Sequence, residues 1–362
     1  MAKVFSHPYT REDLLQRGGD ISQFAGVRVA ELSDGFERGI RIADIRTGSG
    51  FDFTVLIDRG LDIGWATFQG ASLAWRSPTT VVGPAFFEPE GKGWLRGFHG
   101  GLVTTCGLTY FGAPCTDDGK DLGLHGRASF TPATHFGYGG NWEGDEYDIW
   151  VTAQVREASV FGENLVLKRR VASRLGTSKL SIEDCVTNEG FQSAPLMLLY
   201  HVNLGFPVID EQSELLSVSM NVKPRDQAAA AGIGQYNRFQ APTRGYEEQV
   251  FYHTMKTDSE GYAKAAVVNR AYHESRGLGV YLRYRAAELP YLVQWKMMGH
   301  GQYVCGLEPS TNLVEGRAKE RKEGRLQFLE PGESRSYKLE IGVLGSQSEI
   351  EAFTASLDHL SA

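Results

Sequence analysis

The feature that most constrains this chain is a period-two alternation of apolar and polar residues. Tyr147, Ile149, Val151, Ala153 and Val155 alternate with Asp148, Trp150, Thr152, Gln154 and Arg156. Near the end, Tyr337, Leu339, Ile341 and Val343 alternate with Ser336, Lys338 and Glu340, just after the turn-forming Pro331-Gly332-Glu333-Ser334. Side chains point to opposite faces every second residue only in an extended strand, so both segments predict half-buried strands. Further strands are expected over 53–57, 165–171, 180–186, 196–202, 279–284, 291–295 and 303–307, where β-branched and aromatic residues concentrate. Forty-three glycines cut the chain into short units. Helix is expected only at 11–16 and 348–360. The pattern predicts an all-β fold, a large antiparallel sandwich forming one unit over 1–362, with 1–25 as an N-terminal extension carrying a short helix. Residues 213–260, with Ala228 to Ala231 and several glycines and tyrosines, read as an irregular excursion that covers the site.

Composition narrows the partners. A chain of 362 residues that is 41% hydrophobic can bury a large core without disulfides or metals. Thirty-seven basic against 44 acidic residues give a net charge of −7, and no stripe of Lys and Arg could follow a phosphate backbone, so nucleic acid is not expected as a partner. Lys223-Pro224-Arg225 and the run Arg317 to Arg325 are basic, and both read as solvated loops. Cys106, Cys115, Cys185 and Cys305 are scattered without metal-ligand spacing and read as small hydrophobes in a reducing compartment. No segment has the apolar length of a membrane span or signal peptide, so no membrane association and a cytoplasmic location are expected.

Three segments gather side chains suited to proton transfer: Leu124-His125-Gly126-Arg127, Tyr200-His201-Val202-Asn203-Leu204 and Gly306-Leu307-Glu308-Pro309. His201 follows the apolar Leu196-Met197-Leu198-Leu199-Tyr200, and Glu308 follows Tyr303-Val304-Cys305-Gly306-Leu307. A carboxyl group on a buried strand must be paired or functional, because leaving a buried charge unpaired costs several kcal/mol. The structural alternatives are a turn histidine at His125, a buried neutral histidine holding strands together at His201, and an ion pair of Glu308 with Lys296 or an arginine.

The order and spacing of these segments resemble the aldose 1-epimerase, or galactose mutarotase-like, superfamily. Within it, Asp58-Arg59-Gly60-Leu61-Asp62-Ile63 and Gly100-Gly101-Leu102-Val103-Thr104-Thr105-Cys106-Gly107-Leu108 resemble a DUF4432-like bacterial branch. The resemblance implies an enzyme that interconverts sugar anomers, with Glu308 as general base, His201 as general acid and His125 binding the sugar near its ring oxygen. A glutamate (reference pKa ~4.3) and a histidine (~6.5) can supply an acid and a base near neutral pH. The pair is expected to face each other across a sugar-sized hollow. This chemistry needs no cofactor, and no metal is expected, although His99, His125, His201 and Glu308 would offer nitrogen and oxygen ligands if they converged.

Asn203, two residues from His201, should share its side of the strand and fix the imidazole or a sugar hydroxyl. Trp75, Trp295 and Tyr303 are candidates either for stacking on a sugar or for plain core packing. Arg59 either pairs with Asp58 or Asp62 or clamps a polar substituent of the ligand, and His99 is similarly open. Two departures from the galactose-type pattern stand out: Gly97-Phe98-His99-Gly100-Gly101 replaces the family's Asn-Arg pair, and Trp295-Lys296-Met297 occupies the region of its substrate-binding aspartate. They point away from galactose. Lys296 with Arg59 or Arg127 suggests a sugar bearing a carboxylate, sulfonate or phosphate. Two other function classes use the same residues: an isomerase or β-eliminating lyase on a keto-sugar, and a non-catalytic carbohydrate-binding protein.

Overall fold

A computed structural model of the chain describes residues 1–4 and 7–361. Its two largest sheets are antiparallel throughout. The first has eight strands in the order Thr134–Glu143, Glu146–Ala158, Asn164–Arg174, Lys179–Asn188, Ser334–Leu344, Leu278–Arg285, Tyr262–Asn269 and Ser213–Ser217. The second has seven strands. Six run in the order Ser219–Pro224, Gln249–Met255, Tyr291–Gly299, Gln302–Ser310, Ala194–Leu204 and Gln327–Leu329, and Thr104–Leu108 pairs with Ala194–Leu204. A five-stranded sheet built from residues 26–72 packs into the same core.

The alternation expected from the sequence is what joins the layers. Ile149, Val151, Ala153 and Val155 point inward from one sheet, and Leu339, Ile341 and Val343 do the same from another strand of it. They meet Leu196, Leu198, Tyr200, Val202 and Leu204, the even-numbered face of the central strand Ala194–Leu204. Each fully buried aliphatic side chain contributes roughly 1.5–3 kcal/mol, so this shared face dominates the stability of the sandwich. The odd-numbered face of that strand carries Met197 and Leu199, which join a second cluster with Trp94, Phe98, Phe111, Phe130 and Val293. The site lies against this outer face.

The helix expected at 11–16 spans Arg11–Arg17. It opens on a capping box, in which Thr10 Oγ1 accepts from the Asp13 amide at 3.1 Å and Asp13 accepts from the Thr10 amide at 3.0 Å. The C-terminal helix spans Gln347–Ser361. Among the described residues, no helix is long and apolar enough to cross a membrane. Cys106 and Cys305 are buried, Cys115 and Cys185 are half-buried, and all four thiols are free.

The reading of 213–260 as an irregular excursion is corrected. The segment holds the strands Ser213–Ser217, Ser219–Pro224 and Gln249–Met255 and the helix Gln227–Gly232, whose N-cap Asp226 accepts from the Ala229 amide at 3.0 Å. Its strands are short and flank polar turns, which hides their periodicity. Pairing with long neighbours such as Tyr291–Gly299 fixes them.

Candidate active site

The site begins with strand register. Leu199 pairs with Ser310 and Val202 with Leu307, so His201 lies directly opposite Glu308 on adjacent antiparallel strands. Directly opposed residues hold their Cβ atoms about 4.5–5.5 Å apart, which brings long side chains into contact. His201 Nε2 stands 3.2 Å from Glu308 Oε1, with side chains only 6% and 2% exposed. The expectation of an acid and a base facing each other across a hollow is thereby corrected: the two stand side by side on its floor.

The floor belongs to a cavity of about 480 Å³ lined by Trp94, Phe98, His125, His201, Trp295 and Glu308, with Lys92, Arg225 and Glu248 among the remaining wall residues. This volume falls in the range of roughly 300–1,000 Å³ typical of small-molecule sites. His125 reaches the wall from a loop in which it and Gly126 take the left-handed φ values 57° and 80°. A Cβ at Gly126 would strike the carbonyl oxygens of Tyr110 and Gly107, so glycine is required there. The His125 and His201 rings lie 5.9 Å apart, and Trp94 packs 4.8 Å from His125.

Buried polar atoms normally find partners. Here Trp94 Nε1, His125 Nδ1, His201 Nδ1 and Glu308 Oε1 have no hydrogen-bond partner among the described residues, although His201 Nε2 approaches Glu308 Oε1 to 3.2 Å. All four belong to residues lining one cavity.

Burial sets the protonation of the pair. It holds the His201 imidazole down to about 3, helped by neighbouring His125 and opposed by the Asn203 side chain. It pushes the Glu308 carboxyl well above the usual range, with Glu248 adding to the rise and Arg225 opposing it. Burial alone lowers His125 to about 4. Burial thus disfavours both charged forms, the imidazolium of His201 and the carboxylate of Glu308.

The other expected site residues divide. Asn203 shares the His201 face and donates to the carbonyls of Gly101 at 3.0 Å and His201 at 2.9 Å. Trp295 lines the cavity, Trp75 packs behind it with ring centres 6.1 Å apart, and Tyr303 donates to the Gln240 carbonyl at 2.6 Å, outside the lining.

Lys296 follows Trp295 on one strand and so points to the opposite face. It is buried there with its Nζ 2.9 Å from the Gln235 carbonyl. Arg59 is fully buried, donates to the carbonyls of Ser129, Val82 and Gly97 and stacks 4.0 Å over Phe130. It pairs with neither adjacent aspartate and does not line the cavity. Asp58 binds Arg41, and Asp62 binds Arg169. Arg127 is exposed, and His99 is buried outside the lining, so the four possible metal ligands do not converge. Among the described residues, no group of three or more His, Cys, Asp or Glu is placed to hold a metal ion.

Sequence reasoning missed Arg225, Glu248, Lys92 and Trp94. Glu248 accepts from Trp295 Nε1 at 2.9 Å and from Arg225 Nη2 at 3.0 Å, and Arg225 also binds Asp226 at 2.7 Å. The available signal was Arg225 and Glu248 flanking strand ends, but in one dimension a basic triplet beside a turn is indistinguishable from a solvated loop.

The all-β sandwich is a galactose mutarotase-like fold, and similar solved structures share it. A protein of Klebsiella pneumoniae subsp. pneumoniae MGH 78578, provisionally named an aldose 1-epimerase, superposes with a TM-score of 0.88 at 27% identity, covering 93% of this chain and 88% of that one. A galactose mutarotase-like protein from Clostridium acetobutylicum (TM-score 0.59, 14% identity, 89% and 99% covered) and the galactose 1-epimerase of Lactobacillus acidophilus NCFM (0.57, 12%, 89% and 100%) share the fold. A search of curated proteins by sequence finds no match. The profile of DUF4432, a domain of unknown function, matches residues 37–343, and the chain belongs to that family.

Proposed function

We propose that the protein is an aldose 1-epimerase, catalysing the exchange of sugar anomers with Glu308 and His201 as its acid/base pair. The observation that carries this reading is the 3.2 Å contact of these two groups on the floor of a cavity whose lining residues hold unpartnered polar atoms. The oxygens that exchange protons in mutarotation, the anomeric hydroxyl and the ring oxygen, are bonded to one carbon. An acid and a base standing side by side reach both. The cycle begins once the Glu308 proton has moved to His201, a transfer that burial opposes and that the bound hydroxyl groups must offset, giving a carboxylate and an imidazolium. Glu308 then takes the anomeric hydroxyl proton, the C1–O5 bond breaks with its electrons going to O5, and His201 Nε2 protonates O5. Rotation about C1–C2 and reversal of the two transfers give the other anomer, so one proton moves from O1 to O5 and returns. His125 and Trp94 hold ring and hydroxyl oxygens, and the faces of Trp295 and Phe98 pack on the sugar's apolar side.

The cations expected to select an anionic sugar, Lys296, Arg59 and Arg127, do not line the cavity, and Arg225 there is already bound by Asp226 and Glu248. Lys92 also lines the cavity and is in no ion pair among the described residues, so an anionic substituent on the sugar would meet that ammonium rather than Lys296, Arg59 or Arg127.

Freshly dissolved single anomers followed by optical rotation or anomeric NMR signals test the reading, before and after chelator. The expected result is acceleration that survives chelation and falls about 10²–10⁴-fold in Glu308→Gln and in His201→Asn. Solvent deuterium entering a carbon beside the anomeric centre, or full activity in both variants, overturns it.

A further inference from the structure

The cavity floor contains a gap in its row of side chains. On the strand Gln302–Ser310, Glu308 and Gly306 face the same side, and Gly306 lies between Asn203 and Trp295 on the flanking strands. A Cβ built at Gly306 would sit well inside van der Waals contact of Glu308 Oε1, 3.2 Å from Trp295 Cβ and 3.3 Å from His201 Cε1. The glutamate therefore folds back along its own strand into the space where residue 306 would otherwise have a side chain.

Neither backbone conformation nor burial of backbone explains this glycine. Gly306 is absent from the glycines with positive φ, and the nearest atoms to its missing Cβ are side-chain atoms of His201, Glu308 and Trp295, all three in the cavity lining. Strand interiors also disfavour glycine, which has more freedom to lose on folding. A residue unfavourable for its strand, placed where only the site gains, reads as a functional choice.

We infer that Gly306 is a positioning residue: the absence of its side chain lets the Glu308 carboxyl lie beside the His201 imidazole. The inference rests on the acid/base reading of this pair. The atom in closest conflict with a new Cβ is the far end of a flexible side chain, so Gly306→Ala moves the carboxylate while the strand pairing persists. The alanine variant keeps its melting temperature within a few degrees and loses turnover about 10²-fold or more with KM changed little, since each proton transfer contributes about that factor. Because the loss acts through Glu308, adding Glu308→Gln to Gly306→Ala costs little beyond the larger single effect.

The test measures kcat and KM for the wild type, both single variants and the double variant, with thermal melts, and solves the structure of Gly306→Ala. Non-additive losses together with a His201–Glu308 separation wider than 3.2 Å support the inference. Wild-type turnover in Gly306→Ala, additive losses, or an unchanged separation overturns it. If the wild type exchanges no anomers, the proposed reaction falls, and the separation in the variant crystal still decides the role of Gly306.

Discussion

The two faces of the strand Ala194–Leu204 hold their buried polar groups in opposite ways. On the inner face Tyr200 donates to Asp184 at 2.7 Å, and Asp184 takes two bonds from Arg169 at 2.9 and 2.6 Å. Arg169 continues to Thr105 at 2.8 Å, the Gly60 carbonyl at 3.2 Å and Asp62 at 3.3 Å. One Asp62 oxygen is the exception in an otherwise paired network. One residue further along the chain, His201 faces outward with Nδ1 unpartnered, beside a Glu308 oxygen in the same condition. The network around Arg169 is satisfied almost wholly by the protein and ties the sheets together, while the Tyr284 and Tyr337 hydroxyls of the same core have no partner among the described residues. On the outer face the unpartnered atoms of His201 and Glu308 line the cavity, and Asn203 is held by the Gly101 and His201 carbonyls.

The largest effect expected from breaking this contrast is on the inner face. Arg169→Met leaves Asp184 and Asp62 buried without their cation, which costs about 3–5 kcal/mol, read from urea unfolding. The same variant, while folded, retains the His201–Glu308 pair and its turnover. A loss of activity with unchanged stability would reverse the assignment of the two faces.

The pH dependence of stability sharpens the comparison from the outer side. His201 and His125 fall from 6.5 to about 3 and about 4 on folding, because burial disfavours the imidazolium. The unfolded chain then binds more protons, so stability is fully present above about pH 6.5 and is lost as pH falls toward 4 and 3. Unfolding curves measured from pH 7 to 4 should show this decline, and His201→Asn should flatten it. Glu308 acts with the opposite sign: its raised pKa contributes stability below the ordinary carboxyl range that is lost as pH rises through the folded value. Glu308→Gln should therefore raise stability at alkaline pH relative to the wild type.

The smallest effect is expected at Lys296. It hangs from the cavity wall strand but points away, with one hydrogen bond to a carbonyl. Lys296→Met should cost no more than about 1 kcal/mol and leave kcat and KM within about twofold. A large rise in KM would place its ammonium in the ligand's path.

Much of this was legible in one dimension. Alternation located Glu146–Ala158 and Ser334–Leu344 to within a few residues, because half-buried strands need a solvent face and a core face. His201 and Glu308 were conspicuous because each interrupts an apolar strand, and Asn203 followed from His201 by the same period. Parity also contained the answer for Lys296, whose neighbour Trp295 must face the other way. Arg59 was not legible: an arginine between two aspartates suggests an ion pair, and only the fold shows three carbonyl oxygens and Phe130 enclosing its guanidinium.

By itself the sequence determined the secondary-structure type and the layered architecture, and it singled out His201 and Glu308 as candidates for proton transfer, since these follow from local periodicity and from the cost of burying a titratable group. Only the tertiary structure decided register, which places His201 opposite Glu308 across 106 intervening residues, and the identity of the walls contributed by Trp94, Arg225 and Glu248. Contacts of that kind depend on which strands become neighbours, a property of how the whole chain packs that no local pattern encodes.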